Sequence, residues 1–501
     1  MAAETRGTCS PATALSGRAD LRETHCGVVV LLGDRAYKVK KPVDLGFLDF
    51  RHVAERERVC RREVELNRRL APDVYLGVGH VTTPGSATPE PMVVMRRMPD
   101  ERRLSTMLPA GLPPGTVRQI ARLLADFHAG APTGPDIARE GGEPALRRRW
   151  TANLRETDRF RGAILDEAAH HQVESLAMRY LDGRRDLLTA RSAGGQVRDG
   201  HGDLVADDIF CLPDGPRMLD CLEFDDRLRY VDVIDDVAFL AMDLERLAAP
   251  EAARELLDWY AEFSGGSRVV SLEHHYIAYR AFVRAKVACL QADQGVEAAV
   301  PRARRLTELA LRHLNQGATV MVVVGGIPGA GKTTLALGIA DRMDWALLRS
   351  DEVRRELAAP AADRYTTRAT TATYEELLRR ARTALSMGVS LVLDATWSDP
   401  GWRAAAQRVA VETSSDLVEL DCVVPVDVAA ARAQRRLDAG EDASEADAEV
   451  VRSVAGRWAP WPGAHQVDTA TGQTAALASG LRHLGRYAPD RTRLTPRVLP
   501  G

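Results

Sequence analysis

The 501-residue chain is 45% apolar and 27% charged, with a formal net charge of −3. That is the composition of soluble globular protein, and the length suits roughly two to four domains. The charge balance gives no electrostatic footprint for nucleic acid or an anionic membrane, and no apolar stretch nears the roughly 20 residues that span a bilayer.

Residues 1–19 lack the apolar run of a secretion signal and read as a loose tail. The seven cysteines (Cys9, Cys26, Cys60, Cys211, Cys221, Cys289, Cys422) are dispersed without C-x-x-C spacing. Reduced thiols in the cytoplasm are therefore expected, rather than a disulfide frame or a zinc site. CGVVVLLGDRAYKVKKP reads as a hairpin turning at Gly33-Asp34. A charged amphipathic helix is predicted from about His52 to Leu70, followed by β-like VGHVTT and PMVVM. Beyond Pro113 the pattern is mostly helical, with an interruption near 198–235. The last segment alternates strand-like runs (MVVVGG, WALLRSD, SLVLDAT, LVELDCVV) with helical stretches, which implies βαβ units and a largely parallel sheet. The boundaries expected are a tail at 1–19, domains at 20–316 and 318–488, and a second tail at 489–501.

Only five of the 67 basic residues are lysines: Lys38, Lys40, Lys41, Lys286 and Lys332. Arginine does not replace lysine where a compact, mobile point charge must follow a phosphate. Along RAYKVK side chains alternate, so Lys38 and Lys40 share a face with the small Ala36, which could lie over an adenine. Lys38 is the preferred partner for nucleotide phosphates and for Glu63 of RREVELNRRL; Glu65 points about 200° away on that helix. PMVVMRRMP would link two lobes, with backbone near Met95 at the adenine edge.

His201-Gly202-Asp203, with Asp208 five residues on, has the spacing of a phosphoryl-transfer loop. One carboxylate accepts a hydroxyl proton while a group one short turn later holds Mg²⁺. Asp203 is the expected base and Asp208 a metal ligand. MLDCLEF supplies a second metal carboxylate: Glu223 is preferred, because EFD stands where D-F-G would, and Asp220 is the reserve. Nine carboxylates from Asp220 through Glu245 would suit a cationic acceptor.

Met321 to Thr334 fits G-x-x-x-x-G-K-[ST] with Gly326, Gly331, Lys332 and Thr333, and Val322–Val324 supplies the preceding strand. Gly329 and Thr334 complete the cradle. Glycines let backbone N–H groups turn toward phosphate oxygens, and the following helix presents its positive end to the same anion. Lys332 would reach the outer phosphates and the Thr333 hydroxyl would ligate Mg²⁺, with Asp394 of SLVLDATW as the supporting carboxylate.

HGDL, the downstream DCLEF and D-x-x-D-D-V-A (Asp232 to Ala238) resemble the aminoglycoside phosphotransferase family, which has the protein-kinase fold. THCGVVVLLGDRAYKVKKPVDLGFLDF and RREVELNRRLAPDVYLGV resemble a bacterial group that joins this fold to a C-terminal AAA-type P-loop kinase domain. The resemblance covers about residues 20 to 480. It implies an N-terminal bilobal α+β kinase-like domain, a C-terminal α/β P-loop domain with a mainly parallel sheet, and ATP with Mg²⁺ as cofactors. It also implies a small-molecule alcohol as acceptor, with no nucleic acid or membrane partner. In similar P-loop kinases the acid after the second strand contacts the acceptor hydroxyl and a nearby arginine holds the substrate, positions that Asp351 and Arg354 occupy. Ser350 is the expected helix cap there. Thr396 and Arg403 fall where such kinases shape the acceptor pocket. DVAAARAQRRLDAGEDASEADAEVV resembles their lid, with Arg432, Arg435 and Arg436 as clamps and Arg435 preferred. Asp208 replaces the family's Asn, and Glu223 is longer than its Asp. The alternative expectation is a regulatory protein, with the P-loop domain a slow ATPase and the N-terminal domain a ligand sensor.

Overall fold

The computed structural model describes residues 19–23, 27–44, 49–82, 88–266, 268–357, 366–439 and 447–487. The two expected tails apart from residue 19, Cys9, Cys26 and residues 440–446 of the expected lid lie outside them. The chain divides into two compact units: residues up to Thr133 with Arg198–Gly266, and Gly134–Val197 with Ser267 onward.

The first unit opens with an antiparallel sheet of β1 (Asp20–Glu23), β2 (Gly27–Leu32), β3 (Arg35–Lys40), β4 (Tyr75–Val81) and β5 (Glu90–Arg96), in the order β1-β2-β3-β5-β4. The β2–β3 hairpin turns at Gly33–Asp34, as its sequence predicts, with Gly33 at φ 58°. Ala36 faces Met95 across β3 and β5, and both are buried with Leu31, Val93, Cys60 and Val64. Helix Val53–Asn67 contributes the last two and packs on β4 and β5. The remaining strands are β6 (Val197–Asp199), β7 (Ile209–Leu212), β8 (Gly215–Met218) and β9 (Tyr230–Asp232), paired β6 with β9 and β7 with β8. Helices Thr116–Gly130, Val233–Arg246 and Pro250–Ser264 pack together around them.

In the second unit β10 (Val320–Gly325), β11 (Ala346–Arg349), β12 (Leu391–Asp394), β13 (Asp416–Val423) and β14 (His465–Asp468) form a fully parallel sheet ordered β11-β12-β10-β13-β14. β10 is central and buried throughout, which is why VMVVVG reads as a continuous apolar run. Its Val320, Val322 and Val324 join one core layer, and Met321 and Val323 the other. In such sheets ligands gather at the carboxyl ends of the strands. Helices from Pro135 to Ala193, and Val270–Asp293 with Ala299–Gln316, belong to this unit by packing. Arg184 donates to Thr413 O at 2.7 Å and Ser271 Oγ to Gly388 O at 2.8 Å, tying these helices to the loops that lead into β13 and β12. No helix among the described residues is long and apolar enough to cross a membrane.

Candidate functional site

In the first unit, strand alternation turns Lys38 and Lys40 toward the same helix. Lys38 Nζ lies 2.9 Å from Glu63 Oε1 and 2.5 Å from Asp220 Oδ1. Lys40, wholly buried, lies 2.6 Å from Glu63 Oε2 and also pairs with Glu223. Burial works against the Lys38 charge, but Asp220, Glu63 and Glu223 outweigh it and hold its pKa well above the usual lysine range. Burial likewise opposes the Glu63 charge, and the two lysines keep it below the ordinary carboxylate value. Glu65 points outward and pairs with Arg62.

The preference for Glu223 over Asp220 as metal carboxylate is not what this geometry favours. Glu223 is buried against Lys40, whereas half-exposed Asp220 lies close to Asp208 and Lys38. Asp220 takes a positive φ of 63°, and its N–H donates to the Tyr75 hydroxyl, so the backbone is bent to present it. Burial, with Asp220 and Asp203 nearby, pushes the Asp208 carboxyl well above its ordinary range. Excess negative charge at this point is what a divalent cation relieves, so these oxygens fit Mg²⁺ chemistry. Among the described residues no three His, Cys, Asp or Glu side chains are grouped to hold a metal by themselves. Two carboxylates completed by phosphate oxygens is the usual arrangement for Mg²⁺ in phosphoryl transfer.

The loop carrying Asp203 is anchored from below by Asp236, a contact missed in the sequence. Asp236 Oδ2 accepts from the His201 amide at 2.6 Å and Oδ1 from the Gly202 amide at 2.9 Å, while His128 lies 3.1 Å away. Burial opposes its charge, yet the bonds from His128 and the loop amide keep its carboxyl far below the usual range. A Cβ on Gly200 would come within 2.5 Å of Asp236 Oδ2. The available signal was the D-x-x-D-D-V-A stretch itself. Met95 is a core strand residue; Arg96 N–H bonds Val74 O and Arg97 N–H bonds Asp34 O, so the chain leaves the sheet only after Arg97. Most of the nine carboxylates have structural work. Asp225 caps a short 3-10 turn, Asp232 caps helix Val233–Arg246, Asp226 pairs with Arg229, and Asp243 binds the Ala206 amide and Arg246. Those four are engaged within the fold, which leaves fewer acids for a cationic acceptor.

In the second unit, the phosphate loop follows β10. Gly326, Gly329 and Gly331 all have positive φ, and a Cβ at Gly329 would stand 2.1 Å from Ala429 O. Lys332 Nζ donates to Ile327 O at 3.1 Å. Thr333 Oγ1 donates to Asp394 Oδ2 at 2.7 Å, the hydroxyl–carboxylate pair that supports Mg²⁺ beside a phosphate loop. Burial raises the Asp394 carboxyl, with Lys332, Thr333 and Arg349 opposing it. A cleft of about 690 Å³ spans Lys332, Thr334, Asp351, Arg354, Asp394 and Thr396. Arg354 pairs with Asp351 at 2.7 Å. Ser350 is the first helical residue rather than the cap; Arg349 precedes it without a side-chain cap bond.

One expectation is corrected here. Arg403 is not among the residues that line this cleft: it is buried, donates to Trp397 O, Ala459 O and Pro460 O, and lies against the Trp458 and Trp461 rings. Most of its donors are spent on backbone, so it is a structural brace. Arg435 lines a smaller cleft of about 400 Å³ together with Gly329, Gly331 and Thr334 of the phosphate loop, and Arg436 lines both clefts.

Residues 33–271 match the phosphotransferase enzyme family and residues 321–460 an AAA domain. Uncharacterized proteins of Mycobacterium tuberculosis (strain H37Rv) and Mycobacterium bovis (strain AF2122/97) are each 44% identical over 462 residues, 90% of this chain and 92% of theirs. The chain belongs to this two-domain phosphotransferase family. A GDP complex of an aminoglycoside 2′-phosphotransferase overlaps 59% of the two-domain chain and 92% of its own, at 14% identity and TM-score 0.40. A sugar kinase from Janibacter sp. HTCC2649 overlaps 33% of this chain and 95% of its own, at 19% identity and TM-score 0.26. The two-domain protein is a kinase, with a kinase-like first domain and a P-loop second domain. Its described cysteines, Cys60, Cys211, Cys221, Cys289 and Cys422, are free thiols.

Proposed function

We propose that the N-terminal domain transfers the γ-phosphoryl group of ATP to a hydroxyl of a small molecule: an amino sugar, an aminoglycoside-like compound or a sugar alcohol. The P-loop domain would be a second, separate ATP-dependent kinase. The observation that carries the reading is the convergence of Lys38, Glu63 and Asp220 in one ion cluster, with Asp203 on a loop braced by Asp236. Lys38 holds the nucleotide phosphates, Asp203 receives the acceptor's proton, and Asp208 with Asp220 would hold Mg²⁺. In the P-loop domain Gly326, Gly329, Gly331, Lys332, Thr333 and Thr334 cradle phosphates, Asp351 takes the proton, Arg354 holds substrate, and Thr333 with Asp394 would hold the metal. When bound, Mg²⁺ neutralises phosphate charge as it shifts toward the leaving ADP; the side chains chiefly position and stabilise.

The test is ADP release from Mg-ATP with an acceptor panel and product confirmed by mass, in wild type, Asp203→Asn and Lys332→Ala. Asp203→Asn is expected to lower transfer to amino sugars or aminoglycosides at least 100-fold, a loss in keeping with the usual contribution of a general base. Acceptor-independent ADP release with no phosphorylated product would replace this reading with the nucleotide-dependent regulatory one.

A further inference from the structure

One wall of the P-loop cleft is helix Thr367–Ser386, which presents Thr367, Thr370, Thr371 and Tyr374 to it. Their spacing, i, i+3, i+4 and i+7, is a single helical face. On a helix packed against a parallel sheet, such a face ordinarily carries aliphatic residues. Here three hydroxyls stand on it, and among the described residues none of them has a hydrogen-bond partner within the protein. Thr373, off the stripe, instead bonds back to Ala369 O at 2.8 Å. Thr396 and Ser398, after β12, add two more cleft hydroxyls without internal partners. Half-buried Trp402 lines the same space, its ring stacked on Tyr374 at 5.0 Å and 14°. Hydroxyl donors and acceptors beside an aromatic platform suit a chain of C–OH groups, whose C–H faces pack on the ring.

Charge narrows the class further. The cleft's carboxylates are engaged: Asp351 with Arg354, Asp394 with Thr333 and Arg349, and Asp399 with the Gly401 amide that begins its own helix. Arg408, on helix Pro400–Glu412, lines the cleft and has no ion pair among the described residues. The uncommitted charge is a cation.

Resting on the reading of this domain as a kinase, we infer that its acceptor is an anionic polyol, a polyhydroxylated chain carrying a carboxylate or a phosphate. Thr370 and Thr371 hydrogen-bond its hydroxyls and Arg408 binds its anion. In the reaction an acceptor hydroxyl oxygen bonds to the γ-phosphorus as the bond to the β–γ bridging oxygen breaks. ADP leaves with that electron pair, and the hydroxyl proton passes to the Asp351 carboxylate.

The test uses the full chain carrying Asp203→Asn, which silences the other site, with Mg-ATP and gluconate, glucose 6-phosphate, sorbitol or glucosamine. Product mass and calorimetric binding are measured together. Lys332-dependent transfer to gluconate or glucose 6-phosphate is expected at a kcat/KM at least 10-fold above sorbitol, the lower range for a charge-assisted contact. Which of the two is favoured identifies the anion. Arg408→Gln should raise KM about 10-fold for the anion and leave that for sorbitol unchanged; Thr370→Val, which keeps the volume, should raise both. Lys332-dependent transfer that prefers sorbitol or glucosamine overturns the inference. Binding of the anion that depends on Arg408 but yields no product keeps the ligand class and rejects the kinase reading; neither binding nor transfer of either anion rejects the ligand class.

Discussion

Lys38 and Lys40 sit two residues apart on one strand face and share Glu63, yet they meet different demands. Lys38 reaches the edge of the cluster, toward Asp220 and the space where phosphates would lie. Lys40 is sealed behind it between Glu63 and Glu223. Removing a charge from a buried network leaves its partners uncompensated, which costs about 3–5 kcal/mol. Lys40→Met is therefore expected to lower unfolding stability by roughly that amount, and adding Glu223→Gln should recover part of it. Lys38→Met should instead act mainly on ATP turnover. Urea unfolding and steady-state kinetics on the three variants separate the roles; equal stability loss from both lysine changes would refute the division. That both lysines turn toward Glu63 was within reach of the sequence, because strand alternation is a local fact. The choice between Asp220 and Glu223 was not. It depends on a left-handed backbone at Asp220 and on a buried lysine across 183 residues, neither of which leaves a mark in DCLEF.

The elements show the same contrast. The phosphate loop was legible because its chemistry is contiguous: glycine positions, a lysine and a hydroxyl in one turn. Gly329 illustrates how little freedom remains, since a Cβ there would strike the Ala429 carbonyl on the neighbouring helix and the backbone is left-handed. Gly329→Ala should thus displace the loop or the helix. Nucleotide binding to the P-loop domain should weaken at least 10-fold, against a cost of about 1 kcal/mol or more for the left-handed alanine alone. Titration with a fluorescent ATP analogue in the Lys38→Met background, which weakens nucleotide binding at the other site, would show it. Unchanged affinity would mean that Ala429 yields. Arg403 was illegible for the opposite reason: its partners are backbone carbonyls of Trp397, Ala459 and Pro460, which any residue type supplies. The threonine stripe at 367, 370 and 371 was open to a period count, but three threonines on a helix read as surface until a cleft is seen beside them.

At the scale of the whole molecule, buried histidines make stability depend on pH. His275 is 1% exposed, accepts a hydrogen bond from Trp150 Nε1 at 3.2 Å and stacks on Tyr180. Burial lowers its pKa to about 3, against 6.5 unfolded. The unfolded state therefore binds the extra proton between those values, and stability falls as pH drops below about 6.5. From pH 6.5 to 5 His275 alone contributes a loss of roughly 2 kcal/mol. Thermal melts of wild type and His275→Gln across this window should converge as pH falls. A pH slope unchanged by the substitution would rule the histidine out. The alternation of strands and helices in the last segment announced the parallel sheet; it did not show which helices pack with that sheet, because packing partners far apart in sequence leave no periodic trace.

The bond from Arg184 to Thr413 O has a consequence for how the protein is made. The helices from Pro135 to Ala193 are synthesised more than two hundred residues before the strand β13 whose approach they brace. A ribosome-bound chain that has emerged only as far as Gln316 holds that guanidinium without the Thr413 carbonyl it binds. The first unit, by contrast, has all its residues by Gly266. The first unit is thus complete early, while the helices interrupting it wait for the carboxyl-terminal sheet, and a gene cut between the two family matches would part those helices from the strands they brace.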